Sequence, residues 1–573
     1  MNLEYNIETI QAKSTKTTLR INGYNIHSKY DPIQEAKIFV DNNYKPGYVH
    51  ILFGYGLGYI AEEFLKRFIN DDEKLIVIEP ILTKNVSIED TRLNIFYERD
   101  MNLVKQKIEI SFGIMNNITL VCSPNYNKIC PEIYKEFLTV LKNKLYLDRV
   151  SENTMIALSE LWQRNYIYNL KHVVNDVSIS KLKKSMSKPV VVASGGPSLT
   201  KQLPLLREYR DDFVLIASGS TINTLMYDDI IPDYVVSIDG HKNNFNHFKD
   251  LETYGITLLY GMYNHYKIRD AFDNEAYFFL TQSNEVLINH LKDVINEEPV
   301  VLKGGGSVAH YAFSIANYIS SGPIALIGQD LAYTNNLSHA INNKGLIELS
   351  EEEINKRALM KVDGYYKEKV LTDYPFLSMR NTFETLINIY NEQNENIYNC
   401  TEGGIEINGF NKIPFKEFCG KFITPEHRKN VKHKVRNKNN SNNILEKLEK
   451  EICMYDKLID ILNENLDLIS KNKLNDSFEE SILERLDIND SEINEIQLLT
   501  SLAVIMDPIN LNIIKRFPPK INETIEEKYV RVCSQNKVLY EEYKNAVKKV
   551  KQYTLNLIEI INKETKGDKC WNQ

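Results

Sequence analysis

Three turns rich in glycine and serine lie between positions 190 and 331, and each follows a short apolar run. They are Ser194-Gly195-Gly196-Pro197-Ser198, Ala217-Ser218-Gly219-Ser220-Thr221 and Gly304-Gly305-Gly306-Ser307-Val308, and a fourth strand end follows at Gly328-Gln329-Asp330-Leu331. Glycine lets backbone N–H groups approach a ligand, and a helix that starts after such a turn presents a partial positive charge. The pattern predicts a site for a phosphorylated ligand at the carboxyl ends of parallel strands.

Two of these turns carry more specific expectations. Pro197 suits the first position of a helix, so Gly196 is expected to cap that helix and Ser198 to lie in its first turn. The three glycines at 304–306 cost roughly 1 kcal/mol each relative to alanine, which suggests close approach to a ligand. Taken alone, the first turn is equally compatible with a tight connection between strand and helix.

Four side chains are candidates for catalysis. Asp239 and Asp330 stand at strand ends, where either could orient a sugar hydroxyl, act in catalysis or cap the following turn. His339 is the first candidate for a general base, because the pKa of imidazole lies near neutrality; an exposed loop histidine is the alternative. His310 is the second candidate, although a histidine on an apolar helix is more often a satisfied core residue.

The elements that must position these groups alternate between strand and helix. Short apolar strands are predicted at 190–192, 213–216, 234–237, 257–259, 299–302 and 324–327, with helical stretches such as 308–319 between them. Such alternation is typical of a doubly wound α/β sheet. We therefore predict a central α/β domain over residues 156–425.

The first part of the chain, residues 1–155, predicts a Rossmann-like domain. A strand at 50–53 leads into Gly54-Tyr55-Gly56-Leu57-Gly58 and an amphipathic run from 59 to 68, and a second strand at 75–78 ends at Glu79. This arrangement is similar to the opening βαβ unit of a dinucleotide or S-adenosylmethionine site, with Glu79 placed to meet a ribose hydroxyl. The alternative is a turn kept only for close packing of helix against sheet.

The last part of the chain, residues 426–573, predicts a helical bundle. A polar, basic segment at 427–443 is interpreted as a hydrated linker, with a patch for an acidic partner as the alternative. Beyond it, apolar residues recur at helical spacing from Ile444 to Leu462 and again from Tyr529 to Ile561.

Composition excludes several classes of protein. The chain has 573 residues and a formal net charge of −8, which disfavours a general nucleic-acid binder. We see no secretory signal and no stretch of about twenty apolar residues, so no membrane span is expected. The seven cysteines lack CxxC spacing, which favours idle thiols in a reducing cytoplasm over a zinc site.

Read together, the motifs of the central block point to a family. In chain order they are Ser194-Gly195-Gly196-Pro197-Ser198-Leu199, Ser237-Ile238-Asp239, Gly304-Gly305-Gly306-Ser307-Val308-Ala309, Gly328-Gln329-Asp330-Leu331-Ala332-Tyr333 with His339, and Thr401-Glu402-Gly403-Gly404. This set resembles the bacterial motility accessory factor family, the Maf flagellin glycosyltransferases. The strand ending at Glu79 and the carboxy-terminal helices fit the three-part layout of that family, so the resemblance spans nearly the whole chain.

The resemblance implies an activity and a set of roles. It implies transfer of a nonulosonic acid (pseudaminic or legionaminic type) from its CMP-activated form to Ser or Thr hydroxyls of flagellin, in the cytoplasm. Because helix N-termini and glycine-turn N–H groups can stabilise the departing phosphate, no metal or further cofactor is expected. The expected catalytic residues are His339, Asp239 and Asp330. The expected nucleotide-binding residues are Gly195, Gly196, Pro197, Ser198, Ser218, Gly219, Gly305, Gly306, Ser307, Gly328 and Gln329.

The central block is also similar to bacterial sialyltransferases, in which a Gly-Pro-Ser turn and a later small-residue turn hold CMP. Those enzymes carry Asn before the Gly-Pro-Ser, where this chain has Gly195.

Two other functions stay open. The same domain family includes the archaeal-type 6-hydroxymethylpterin pyrophosphokinases (MptE-like proteins), which use ATP and Mg²⁺; Asp239 and Asp330 could then hold magnesium. A non-catalytic flagellin chaperone or export adaptor, docking through the carboxy-terminal helices, is the third hypothesis.

Overall fold

The computed structural model describes residues 5–69, 73–83, 88–111, 117–281, 284–357, 359–391, 396–424, 441–474, 476–520 and 523–570. The chain divides into two compact units, Met1–Ile156 and Ala157–Gln573. The three predicted domains with boundaries after residues 155 and 425 stay predictions. Most of the predicted linker at 427–443 lies outside the described residues.

The first unit is built around a small parallel sheet. Its elements are β1 Ile7–Gln11, β2 Thr17–Ile21, β3 Tyr24–Asn25, α1 Pro32–Asn43, β4 Val49–Phe53, α2 Tyr59–Arg67, β5 Leu75–Ile78, β6 Leu93–Phe96, α3 Met101–Ser111, β7 Ile118–Cys122 and α4 Tyr126–Ile129, and α5 Pro131–Asn169 follows. The parallel order is β6-β5-β4-β7, beside an antiparallel β1-β2-β3 sheet. Every residue of β4 and β5 is buried, as expected for strands covered on both faces. The predicted Rossmann-like fold is confirmed.

The second unit is built around a larger parallel sheet. Its strands are β8 Val177–Ser178, β9 Val190–Ala193, β10 Val214–Ser218, β11 Tyr234–Ser237, β12 Thr257–Gly261, β13 Ala276–Phe279, β14 Ile324–Ile327, β15 Met360–Asp363, β16 Lys369–Thr372, β17 Ile397–Asn399 and β18 Asn411–Lys412. Its helices up to residue 424 are α6 Leu199–Glu208, α7 Thr221–Tyr227, α8 Lys242–Asn246, α9 Glu285–Ile295, α10 Val308–Ile319, α11 Glu351–Lys356, α12 Tyr374–Asn391 and α13 Phe415–Phe422. The order of the sheet is β18-β17-β14-β9-β10-β11-β12-β13-β8, and β15 and β16 form a separate antiparallel pair.

Successive residues of the central strands face opposite sides of the sheet, and both sides are covered. In β9, Val191 belongs to one hydrophobic core and Val190 and Val192 belong to the other. The chain leaves β9 for β10 on one side and returns to β14 on the other, so the strand order reverses here. This confirms the doubly wound sheet and creates a crevice at the carboxyl ends of β9, β10 and β14. Of the predicted strands, the one at 299–302 is reduced to an isolated bridge between Leu280 and Val301.

The carboxy-terminal region is helical, as predicted. Its helices are α14 Ser441–Lys471, α15 Glu480–Leu499, α16 Ala503–Arg516 and α17 Ile525–Cys570. Ile444, Leu448 and Leu458 of the predicted stripe are 0–1% exposed and belong to the same core as Leu199 of α6. Within the described ranges, no helix has the length and apolar content needed to cross a bilayer.

Candidate active site

A cavity of about 220 Å³ lies where three parallel strands end, at β9, β10 and β14. Its wall is formed by Ser194, Gly195, Gly196, Ser218, Gly219, Ser220, Thr221, Ser307, Val308, Ala309, Gly328, Gln329, Asp330, Leu331, Ala332, Ser338, His339, Phe376 and Met379. The structure thus brings together most of the residues that the sequence singled out. None of these described wall residues is Lys or Arg, so within the wall itself the positive potential comes from backbone N–H groups and helix N-termini.

The first turn is shaped by a buried carboxylate. Helix α6 begins at Leu199 with Ser198 as its N-cap, so the expected cap at Gly196 is wrong by two residues. Ser198 donates its backbone N–H to Asp330 Oδ1 at 3.1 Å and its hydroxyl to the same oxygen at 2.5 Å. A Cβ on Gly196 would collide with the Asp330 carboxylate and the Gly328 carbonyl. Glycine is therefore required at 196 by internal packing, whatever the ligand.

Asp330 connects several of the sequence motifs. Its side chain is 1% exposed, and Oδ2 also accepts the Thr334 hydroxyl at 2.8 Å. Burial raises the pKa of this carboxyl, against hydrogen bonds from Ser198 and Thr334 that lower it. Gly403 and Gly404 pack against Asp330, and a Cβ on either would crowd it. The predicted catalytic carboxylate thus lies in the wall and is already bound by the protein's own donors.

The second turn also enters the wall. Gly219 has φ of +52°, and its N–H donates to the Val236 carbonyl at 3.0 Å. The turn leads into α7, and a Cβ at 219 would meet Val308 of α10 at 3.4 Å. Ser218 and Gly219 therefore lie beside the start of α10, as a shared ligand site requires.

The glycine run at 304–306 differs from the expectation. Gly305 and Gly306 do not belong to the cavity wall, whereas Ser307 does. A Cβ on Gly304 would enter the Tyr311 ring, and one on Gly305 would meet Thr382. The close approach inferred from Gly304 and Gly305 is therefore to neighbouring side chains, whereas a Cβ on Gly306 would meet nothing within 4 Å.

Ser307 and the last strand end complete the polar side of the wall. Ser307 is the N-cap of α10, where its hydroxyl accepts the Ala309 N–H at 3.3 Å. Gly328 has φ of +63° and donates its N–H to Gln202 Oε1 at 3.1 Å, and the Gln329 N–H donates to the Thr401 hydroxyl at 3.2 Å. Both residues line the cavity.

His339 is half-buried and lines the cavity. Its Nδ1 lies 3.0 Å from the Ser338 hydroxyl, and the N–H of the next residue, Ala340, donates to the Gly195 carbonyl at 2.9 Å. Burial lowers the pKa of His339; a hydrogen bond with the Gly345 backbone opposes the shift and the charge of His247 adds to it. A neutral imidazole held at the rim of a cavity can accept a proton from a bound hydroxyl.

The other two candidates are placed differently. His310 is 0% exposed and outside the cavity wall; its Nε2 lies 2.9 Å from the Met379 carbonyl, and burial lowers its pKa to about 4. It is a core histidine, so its role as a second general-base candidate is corrected. Asp239 is exposed, accepts the His241 N–H at 2.9 Å and does not line the cavity.

The position that is Asn in the sialyltransferases has an amide beside it. A Cβ on Gly195 would lie 3.1 Å from Asn343 Nδ2 and 3.3 Å from the Thr221 hydroxyl oxygen. Asn343 is 5% exposed and accepts the Gly345 N–H at 2.8 Å. The space that a side chain at 195 would use is therefore filled from the loop that carries His339.

Sequence reasoning missed the apolar side of the cavity. Phe376 and Met379 reach it from α12, and Leu331 and Ala332 continue it after β14. No motif marks Phe376 and Met379, because an apolar pair one turn apart is ordinary on any amphipathic helix.

In the first unit, the backbone of the glycine turn is hydrogen-bonded to Glu79, which is 1% exposed. Its Oε2 accepts the N–H groups of Tyr55 and Gly56 and the Tyr126 hydroxyl, at 2.7, 3.2 and 2.6 Å. Its Oε1 accepts two further N–H groups, those of Ile81 and Leu82, at 2.8 and 2.9 Å. The carboxylate expected to meet a ribose is thus saturated inside the domain, which favours the packing interpretation of this turn.

Two comparisons with known proteins concern the central segment and nearly the whole chain. The family description "6-hydroxymethylpterin diphosphokinase MptE-like" matches residues 164–336. Among solved structures, the MAf glycosyltransferase from Magnetospirillum magneticum AMB-1 aligns with a TM-score of 0.50 and 13% identity, over 97% of this chain and 91% of that one. The fold is Maf-like. The resemblance is confirmed at the level of the fold, and its MptE-like central part at the level of sequence.

The other comparisons add no argument. MNMC2 from Aquifex aeolicus aligns over 25% of this chain and 57% of that one, at 18% identity and a TM-score of 0.20. No curated protein matches the chain.

Proposed function

We propose that this protein is a glycosyltransferase that moves a nonulosonic acid of the pseudaminic or legionaminic type from CMP to Ser or Thr hydroxyls of flagellin. The proposal rests on the similarity to a Maf glycosyltransferase over 97% of the chain. Action in the cytoplasm before export, and catalysis without a metal or further cofactor, are parts of the same proposal.

The cavity supports a nucleotide-activated donor. Its volume of about 220 Å³ is below the roughly 300–1,000 Å³ of sites that enclose a drug-sized ligand, so it suits the nucleotide part of a donor whose sugar extends toward the opening. The N-terminus of α10, capped by Ser307, lies beside the Ser218–Gly219 turn. Backbone N–H groups at such a position can bind a phosphate and stabilise it as it leaves.

The reaction would proceed by displacement at the anomeric carbon. The acceptor oxygen bonds to that carbon while the bond from the carbon to the phosphate oxygen breaks, through an oxocarbenium-like transition state. CMP leaves with the bonding electron pair, and His339 takes the proton of the acceptor hydroxyl. Because burial lowers the pKa of His339, the imidazole is neutral and ready to accept this proton at pH 7.

The direct test is incubation of the purified protein with unmodified flagellin and a CMP-nonulosonate, followed by intact mass measurement. We expect flagellin to gain the mass of one or more sugars. A folded protein and an intact donor that yield no added mass would contradict the proposal.

A variant at the base tests the mechanism. His339→Ala should lower the transfer rate about 10²- to 10⁴-fold and leave CMP affinity unchanged. In the wild type, the rate should fall as the pH drops through the pKa of His339, which lies below the ordinary value of 6.5. His241→Ala, at an exposed histidine outside the cavity wall, is the matched control. Unaltered transfer by His339→Ala would remove this residue from the role.

The MptE-like match favours one other function, an ATP-dependent 6-hydroxymethylpterin diphosphokinase. Asp330 is already bound by Ser198 and Thr334, and Asp239 lies outside the cavity wall, so these two do not form a ready magnesium site. Calorimetry separates the two functions: CMP binding without Mg²⁺ supports glycosyl transfer, and Mg²⁺-dependent ATP binding supports the kinase.

A further inference from the structure

The cavity wall has a polar part and an apolar part. Glycine, serine and threonine residues of the polar part come from the ends of β9, β10 and β14. The apolar residues are Val308, Leu331, Ala332, Phe376 and Met379, of which the last two belong to α12. A nucleoside monophosphate has the same division, with a charged phosphate at one end and a flat, weakly polar base at the other.

Phe376 is the aromatic ring of the apolar side, and the structure holds it in place. Its N–H donates to Asp373 Oδ1 at 2.9 Å, and the Tyr333 hydroxyl donates to the other oxygen of Asp373 at 2.8 Å. The Tyr333 ring packs against Phe376 with centroids 5.3 Å apart and planes inclined by 51°. Because these contacts orient the ring, a ligand that stacks on it loses little affinity to ordering the side chain.

Phe376 also keeps surface for a ligand. It is half-buried and belongs to the cavity wall, as does Met379 one turn later on α12. A packed core position would bury the ring fully, as the structure does with Phe383 on the same helix at 0% exposure. An oriented ring with accessible surface in a cavity can serve as a stacking platform for a planar group.

We propose that Phe376 is the base-binding residue of the cavity, that the nucleobase stacks on its ring, and that Met379 extends this apolar face. The phosphate then lies near the turns at 194–196 and 218–221. The assignment rests on the proposed function only for the identity of the base as cytosine; stacking accepts any nucleobase.

The test is calorimetric titration of the full-length protein with CMP. Loss of a stacking aromatic typically lowers affinity about 5- to 100-fold, and we expect Phe376→Ala to fall in this range. Phe376→Leu keeps the apolar volume without the aromatic face and should lose an intermediate amount. Tyr374→Ala is the matched control, because this aromatic lies on the same helix, is 56% exposed and is outside the cavity wall.

A second probe, ribose 5-phosphate, lacks the base. Phe376→Ala should leave its affinity unchanged, whereas a collapsed cavity would weaken CMP and ribose 5-phosphate equally and overturn the assignment. Unchanged CMP affinity in Phe376→Ala would also overturn it.

Nucleotide binding by the wild type distinguishes a failure of the proposed function from a failure of the base-stacking assignment. If the wild type binds ATP and not CMP, the proposed donor is wrong, and an affinity loss for ATP in Phe376→Ala still supports base stacking. If the wild type binds neither nucleotide, both proposals fail.

Discussion

Replacing Glu79 by Gln tests whether the glycine turn of the first unit is closed by the protein itself. The Glu and Gln side chains have nearly the same shape, but in Gln an amide nitrogen replaces one of the two carboxylate oxygens. If it replaces Oε1, the N–H groups of Ile81 and Leu82 lose their acceptor. If it replaces Oε2, the Tyr55 N–H loses its acceptor, whereas the Gly56 N–H keeps the Tyr126 hydroxyl oxygen at 3.1 Å. The first orientation therefore leaves two N–H donors without an acceptor, and the second leaves one.

The magnitude follows from these lost bonds. Each buried donor left without a partner costs about 1–3 kcal/mol, and the side chain adopts the less costly orientation, so Glu79→Gln should destabilise the first unit by about 1–3 kcal/mol. This unit spans Met1–Ile156. At this size, about 1 kcal/mol lowers the unfolding midpoint by roughly 2–4 °C, so a drop of roughly 2–12 °C is expected.

The assay is differential scanning calorimetry of the full chain, with Glu89→Gln as the matched control. Glu89 is exposed and ten positions away, and its change should shift the midpoint by less than about 1 °C. NAD⁺ and S-adenosylmethionine should leave the wild-type midpoint unchanged, because ligands raise stability only when they bind the folded state. A Glu79→Gln protein as stable as the wild type, or a midpoint raised by either ligand, would refute the reasoning.

Two further predictions concern packing and pH. Gly196→Ala places a methyl group against Asp330 and should destabilise the second unit by about 1–3 kcal/mol and weaken CMP binding, as measured by thermal unfolding and calorimetry. Gly420→Ala is its control, since nothing lies within 4 Å of the added carbon, and it should be neutral or stabilising by up to about 1 kcal/mol; equal effects of the two changes would contradict the packing argument. His27 accepts the Leu57 N–H at 3.0 Å, and burial lowers its pKa to about 4. The contribution of His27 to the free energy of unfolding is complete above its unfolded pKa of about 6.5. It declines as the pH falls toward 4, and the loss is about 2 kcal/mol at pH 5. His27→Gln should flatten this decline in unfolding measured between pH 7 and 4.5; an unchanged slope would exclude His27 as its source.

The local pattern of the sequence was sufficient for the main features of the architecture, the doubly wound sheet and the carboxy-terminal helices. Alternating apolar strands and helical stretches predict the doubly wound sheet, because a strand covered on both faces needs apolar residues at consecutive positions, as at 190–192. The heptad-like spacing after Ile444 likewise predicts buried helices, since it places one apolar stripe on one face.

Part of the candidate site could also be predicted from local sequence patterns. The turns at 194–198 and 218–221 directly follow strands, so the topology of a parallel sheet brings them to one edge. His339 joined them because its loop is tied to Gly195 by a backbone hydrogen bond, which no local pattern records.

Other roles were decided by the tertiary structure alone. Gly304 packs on the Tyr311 ring. Asp330 accepts a hydrogen bond from Ser198, which is 132 positions away in the sequence, and Glu79 accepts one from the Tyr126 hydroxyl. In each case the residue type is compatible with both a ligand contact and an internal contact. Residue type and spacing determine which backbone conformations and chemistries are available, and these could be predicted from the sequence. Which partner satisfies a given carboxylate or fills the space beside a given glycine depends on contacts between distant segments, which exist only once the chain has folded.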